Sequence, residues 1–264
     1  MTQVLMQLNE LVTHIPEREP AWPLNLELRG GQCWGILGPN GAGKTSLLHT
    51  LAGLRKPRSG FIQICEKPLD QWSRRELAQR LGLLFQDHHD GFPATVRETA
   101  LIGRHPHLHP LAMESAEDHD QAQTALRLLG LETMSERLVS TLSGGERQRL
   151  AIATLLTQNP DLWLLDEPTN HLDLHHQIAI LDIISDQVKQ GRAAMLSMHD
   201  VNLAARYCDH ILLLYPDGEA CWGPTQNMLE PTALERLYQQ PLIHTVVNGT
   251  PVFLPAGKAH HKPG

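Results

Sequence analysis

Gly38-Pro39-Asn40-Gly41-Ala42-Gly43-Lys44-Thr45 lies between the apolar run Cys33-Trp34-Gly35-Ile36-Leu37 and the helically spaced Ser46-Leu47-Leu48-His49-Thr50-Leu51-Ala52. It spells G-x-x-x-x-G-K-[ST] in a strand, loop, helix setting, the context that a phosphate-binding loop needs. The glycines let successive N–H groups turn inward as a nest for polyphosphate oxygens, and the helix starting at Gly43 adds its positive end. Lys44 then reaches the β- and γ-phosphates, and the Thr45 hydroxyl takes one position on a bridging Mg²⁺. Gly38, Asn40, Gly41, Ala42, Gly43, Lys44, Thr45 and Ser46 are the expected nucleotide contacts.

Outward from the loop, apolar and polar residues alternate over Val4 to Leu11 and Leu24 to Leu28, which predicts an antiparallel β layer at the start. Phe61 to Ile64 reads as a strand and Ser73 to Arg80 as a helix. Leu81-Gly82-Leu83-Leu84-Phe85, Leu162-Trp163-Leu164-Leu165 and Ala193 to Met198 are continuous apolar runs, as in strands buried on both faces. They deliver Gln86, Asp166-Glu167 and His199 to strand ends, where sheet ligands sit. Pleat alternation would send Asp166 and Glu167 to opposite faces. On that reading Asp166 holds Mg²⁺ beside Thr45, and Glu167 deprotonates a water in line with the γ-phosphate. A neutral His199 would hydrogen-bond that phosphate or water; structural roles for all three are the alternative.

Helical periodicity dominates from Asp87 to Ser140, most clearly over Asp118 to Gly130, and predicts an inserted helical subdomain. His88, His89, His105, His107, His109 and His119 fall there without companion cysteines and with prolines between them, so solvated loop histidines are expected over a metal site. Leu142-Ser143-Gly144-Gly145-Glu146 opens a helix running to about Gln158 and is either a second anion-binding helix start or an ordinary Ser cap. A helix to about Gln190 follows Asn170-His171-Leu172-Asp173, and Asp217-Gly218 marks a hairpin between His210–Tyr215 and Glu219–Trp222.

The 264 residues are 41% apolar, enough for a sizeable core, and 22 Lys and Arg against 29 Asp and Glu argue against a nucleic-acid surface. No apolar run reaches the length of a membrane-spanning helix, and the N-terminus lacks the pattern of a signal peptide, so the chain is expected in the cytosol. Cys33, Cys65, Cys208 and Cys221 are widely spaced and read as reduced thiols. His14 and Trp22, in the Pro-rich segment from His14 to Pro23, are candidates for stacking on a base.

GPNGAGKT at 38 to 45, Gln86, LSGGE at 142 to 146, LWLLDEP at 162 to 168, NHLD at 170 to 173 and His199 stand in this order. The set resembles the nucleotide-binding subunit of ABC transporters, matching Walker A, signature, Walker B, D-loop and switch-histidine motifs over nearly the whole chain. The resemblance implies a P-loop NTPase core of α/β class with a mixed sheet, an N-terminal antiparallel β subdomain and an inserted helical subdomain at about 87 to 160. It implies one ATPase domain over 1 to 255, with 256 to 264 as a flexible tail. It further implies a homodimer in which Ser143, Gly144 and Gly145 complete the site of the partner copy, with Glu146 and Asp173 also binding nucleotide and Gln86 relaying closure and contributing to the metal site.

Where the family presents an aromatic residue to adenine, this chain has His14. Gly103-Arg104-His105-Pro106-His107, after Phe92-Pro93-Ala94-Thr95-Val96, resembles a segment frequent in importers of iron-siderophores, haem, cobalamin or related metal-chelates. The expected role is the ATP- and Mg²⁺-dependent motor of such an importer, peripheral on the cytoplasmic face of the inner membrane. It would act with separate transmembrane permease subunits and an extracytoplasmic substrate-binding protein, and with no nucleic acid. A soluble ABC ATPase of cluster assembly or repair, or an exporter motor, is the alternative.

Overall fold

Three strands without an exposed residue, Cys33–Leu37, Leu162–Asp166 and Ala193–Ser197, form the middle of the computed structural model. It describes residues 3–14, 22–85, 93–109, 112–247 and 249–256. In chain order the strands are β1 (Val4–Val12), β2 (Leu24–Arg29), β3 (Cys33–Leu37), β4 (Ser59–Ile64), β5 (Lys67–Pro68) and β6 (Leu81–Leu84). They continue with β7 (Leu162–Asp166), β8 (Ala193–Ser197), β9 (His210–Leu214), β10 (Ala220–Pro224), β11 (Leu242–Val247) and β12 (Thr250–Pro255). The helices are α1 (Lys44–Leu51), α2 (Arg74–Arg80), α3 (Val96–Leu101), α4 (Ala116–Leu128) and α5 (Gly144–Gln158). After them come α6 (Leu174–Lys189), α7 (Val201–Tyr207), α8 (Thr225–Met228) and α9 (Pro231–Tyr238).

The main sheet has the order β10-β9-β3-β8-β7-β6, parallel throughout except for the hairpin β9-β10. The expected antiparallel layer is present as β2-β1-β4-β5. Successive residues of the main sheet enter different cores, because strand side chains alternate between faces. Trp34, Ile36, Leu164 and Met195 pack with α1 and the antiparallel layer, whereas Leu37, Leu165 and Leu196 pack with the helices of the other face. Burial on both sides is why these runs show no polar alternation.

The helical subdomain is built around α5, which packs on α3, α4 and β6. Its helices start where Ser or Thr precedes an acidic residue by three positions, and Thr95 with Glu98, Ser115 with Asp118 and Ser143 with Glu146 each form a reciprocal capping box. Asp118 also accepts from Arg104 Nε at 2.7 Å, both side chains being largely covered. Hydrogen bonds from Ser115, then from Arg104, hold the Asp118 carboxyl down at about 2. Arg104 Nη1 reaches on to Thr157 O at 3.2 Å, tying this loop to α5.

One expectation is corrected. His107 is not a solvated loop histidine: its Nε2 lies 2.8 Å from the Gln158 carbonyl at the end of α5, a contact between residues 51 apart that no local pattern encodes. His105, His109 and His119 are exposed as expected, and His88 and His89 lie outside the described residues. No group of three or more His, Cys, Asp or Glu able to hold a metal occurs among the described residues. β11 and β12 form an antiparallel hairpin clasped by the Asn202 side chain, which donates to Phe253 O at 3.2 Å and accepts from Phe253 N at 2.8 Å. Ala256 N donates to Pro241 O, and 257 to 264 lie outside the described residues.

Gly103 marks where the Arg104 loop meets α5, and a Cβ there would sit 2.3 Å from Thr154 O and 2.8 Å from Gln158 N, both backbone atoms. Gly103→Ala is therefore expected to destabilise the protein by about 1–3 kcal/mol through overpacking. Urea unfolding checks this, and an unchanged midpoint would show that the loop can move off the helix without strain.

Candidate active site

β3 ends against β9 so closely that a Cβ on Gly38 would lie 2.7 Å from Leu214 O. The chain then turns through Gly41 and Gly43, both at positive φ, into α1. Gly43 caps α1 in a left-handed conformation with no side-chain cap, so the first-turn N–H groups remain open to an anion. Thr45 and Ser46 are half-buried in that turn, Ala42 is buried and Asn40 is exposed at the loop tip. Lys44 is buried and folds back over the loop, Nζ donating to Gly38 O at 2.8 Å and Pro39 O at 3.2 Å. Burial pushes its ammonium down, opposed by the nearby charges of Glu167 and Asp166. The cradle thus keeps its cation on carbonyls that a phosphate can displace.

β7 and β8 run in register with Asp166 opposite Ser197. Asp166 is fully buried; its Oδ1 accepts from Ser197 Oγ at 2.6 Å and its Oδ2 has no partner. The pleat rule fails one residue later. β7 stops at Asp166, and Glu167 has φ of +50°, so a left-handed turn rather than strand alternation sets its direction. Its N–H donates to the same Ser197 Oγ at 2.8 Å. Its side chain is gripped at both oxygens, Oε1 by His199 Nε2 at 2.6 Å and Oε2 by Asn170 Nδ2. His199, expected on a phosphate or water, therefore rests on the carboxylate beside it. Gln148 of α5 donates to Pro168 O at 3.0 Å, fastening the helical subdomain to this turn.

Ser143 to Glu146 form a second patch. The Ser143 hydroxyl accepts from Glu146 N, and Glu146 accepts from Ser143 N at 2.7 Å. These hydrogen bonds lower the Glu146 carboxyl below its ordinary value. Gly144 and Gly145 lie against His171 and Leu172 of the same chain, and Asp173 caps α6 by accepting from His176 N at 2.9 Å. No hydrogen bond or ion pair joins residues 143 to 146 to residues 38 to 46 among the described residues.

Lys44, Asp166, Glu167 and His199 therefore converge, and the signature segment stands apart with Asp173. Gln86 lies outside the described residues; β6 carries the chain to Leu84, opposite Leu165. His14 is exposed beyond the end of β1, whereas Trp22 borders a small cleft with Thr13, Ala42, Gly43 and Tyr215. Sequence reasoning passed over Ser197 and Gln148. The only trace of Ser197 was one hydroxyl in the apolar run Ala193 to Met198.

Residues 22–170 match the model of the ABC transporter family. The hemin import ATP-binding protein HmuV of Nocardia farcinica (strain IFM 10152) is 36% identical over 242 residues, 91% of this chain and 83% of that one. The ferric enterobactin transport ATP-binding protein FepC of Escherichia coli (strain K12) is 34% identical over 238 residues, 89% of this chain and 88% of that one. A structure described as a metal-chelate type ABC transporter in an inward-facing conformation shares the fold with a TM-score of 0.84 at 27% identity, over 97% of this chain and 99% of that one. By fold, by the order of its motifs and by kinship, the chain belongs to the ABC transporter family as one of its ATPase subunits.

Proposed function

We propose that two copies of this chain, seated on transmembrane permease subunits at the cytoplasmic face of the membrane, hydrolyse ATP to import a haem, ferric siderophore or related metal-chelate delivered by an extracytoplasmic binding protein. The names of the two relatives support the cargo class. No helix among the described residues is long and apolar enough to cross a membrane, which is in keeping with a separate permease. One observation supports the dimer: the chain holds two glycine-flanked helix starts, α1 and α5, that do not meet. A C₂ pair brings the Ser143 end of one copy over the Lys44 loop of the other, and does so twice.

The geometry supports the following roles. ATP binding draws Lys44 from Gly38 O and Pro39 O onto the β- and γ-phosphates, while the N–H groups from Gly41 to Ser46 line the cradle. The Asp166 oxygen left unpartnered, with the Thr45 hydroxyl and Gln86, makes a set of hard oxygen donors that suits Mg²⁺. Mg²⁺ held there would supply positive charge against the charge that develops on the phosphates. Glu167, held by Asn170 and released by His199 toward the γ-phosphate, takes a proton from water as its oxygen bonds to phosphorus and the bond to ADP breaks. His14 stacks on adenine, or Trp22 from the cleft beside Gly43 does so in its place.

Glu167→Gln is expected to keep ATP affinity and to lower turnover by about 10²–10⁴-fold, the range for loss of a general base, leaving a nucleotide-locked dimer on size-exclusion chromatography. Wild-type hydrolysis by this variant would remove Glu167 from the role. Ser143→Arg should leave ATP binding by the isolated monomer intact and abolish hydrolysis by placing bulk and charge at the partner's γ-phosphate. Loss of monomer binding would place the signature in its own chain's site. For the cargo, ATPase activity of the complex purified with its native permease is expected to rise when the binding protein arrives loaded with haem or ferric siderophore. A chain that co-purifies with no multi-span protein would end the transport reading.

A further inference from the structure

We infer that Ser197 is a positioning residue for the ATPase: its hydroxyl decides which oxygen of Asp166 faces the divalent cation and holds the backbone of Glu167 in the same act. The inference rests on the proposed ATP site and adds to it a residue outside every motif in the sequence. A hydroxyl has one proton to donate and two lone pairs that accept. The Glu167 N–H can only donate, at 2.8 Å, so the Ser197 proton goes to Asp166 Oδ1, 2.6 Å away. Both bonds are thereby assigned without ambiguity.

The consequence for Asp166 follows from its torsions. The terminal rotation of an Asp carboxylate is broad and nearly two-fold, so packing alone does not choose which oxygen points where. Tying Oδ1 to Ser197 leaves Oδ2 as the open oxygen, and Oδ2 is the buried atom without a partner. Asp166 lies two residues beyond Leu164, and Ser197 two beyond Met195; Leu164 and Met195 both pack in the core under α1. By alternation the free oxygen is presented on the face that carries Thr45 in the first turn of α1. The same hydroxyl fixes the N–H of Glu167 where the chain leaves the strand at φ of +50°. Ser197 is fully buried, so bulk water does not replace it. Partners behind a metal ligand are worth about 10–100-fold in metal affinity.

The test uses the full chain with Mn²⁺ as probe and a non-hydrolysable ATP analogue, reading bound Mn²⁺ by electron paramagnetic resonance. Ser197→Ala is expected to weaken Mn²⁺ binding in the presence of the analogue by about tenfold, at the low end of the range for such partners, and to shift the Mg²⁺ activation curve of hydrolysis equally. Analogue binding without metal should stay at its wild-type value, while the melting temperature falls because the buried Glu167 N–H loses its acceptor. Ser197→Thr, which keeps the hydroxyl, should restore Mn²⁺ affinity. Should Ser197→Ala not fold, Ser197→Cys, whose thiol is a weak donor, should show the same weakening. Wild-type Mn²⁺ affinity in a folded Ala or Cys variant overturns the inference alone, as does equal loss of metal-free analogue binding, which would mark a merely structural role. Failure of the wild-type chain to bind Mn²⁺ with the analogue would overturn the ATP-site reading beneath it.

Discussion

The chemistry of this chain depends on three parallel strands being in phase at their C-terminal ends. Ile36, Ser197 and Asp166 lie on one line across β3, β8 and β7. From that line the phosphate loop leaves β3, Glu167 leaves β7 and His199 leaves β8, each within two residues. A slip of one residue would turn every side chain to the opposite face, exchanging Ser197 for Leu196 opposite Asp166. What prevents the slip is burial on both faces. Trp34, Leu164 and Met195 fill one core on one row, while Leu165 and Leu196 fill the other on the next. Moving any of them out of its core would cost about 1.5–3 kcal/mol per side chain, so the hydrophobic rows act as the ruler for the polar ends.

That ruler makes an electrostatic cluster tolerable. Two carboxylates and one ammonium are buried at the sheet edge, where an unpaired charge would be expensive. Each oxygen of Glu167 is met by a donor, Lys44 rests on carbonyls, and Asp166 is met at one oxygen. Among the described residues of this cluster, the polar groups left without a partner are Asp166 Oδ2 and the start of α1, which has no side-chain cap. Both suit the polyphosphate and hard cation of the proposed site.

Much of this was legible because the rules that apply are local. Continuous apolar runs marked the buried strands, and Ser143 ahead of two glycines marked the start of α5, which the structure closes with a capping box. The illegible parts are those where a local rule ends or a distant partner takes over. Period-two alternation holds up to Asp166 and says nothing of Glu167, whose left-handed backbone begins where the strand stops. His107 and Ser197 look unremarkable in sequence because their partners are 51 and 31 residues away. The hairpin of β11 and β12 did carry a signal, Asn248-Gly249 between two apolar stretches, which the sequence reading passed over.

The Lys44 loop with its carboxylates and the start of α5, although not hydrogen-bonded to each other among the described residues, share a wall. Gly144 and Gly145 at the start of α5 abut His171 and Leu172, and the neighbouring Asn170 holds Oε2 of Glu167. On the other side His199 holds Oε1 and is followed by Asp200, which caps α7 through Asn202 N and Leu203 N, while Asn202 clasps the C-terminal hairpin. The Glu167 carboxylate therefore sits between two hydrogen-bonded arms, one reaching the signature helix and the other the end of the chain. On the proposed roles, a group settling on Gly144 and Gly145 would press on the segment that aims Glu167, and a phosphate that attracts His199 would remove the opposite restraint. The packed atoms between the two patches thus give the proposed base a route of coupling within a single subunit, with no rearrangement of the sheet needed to connect them.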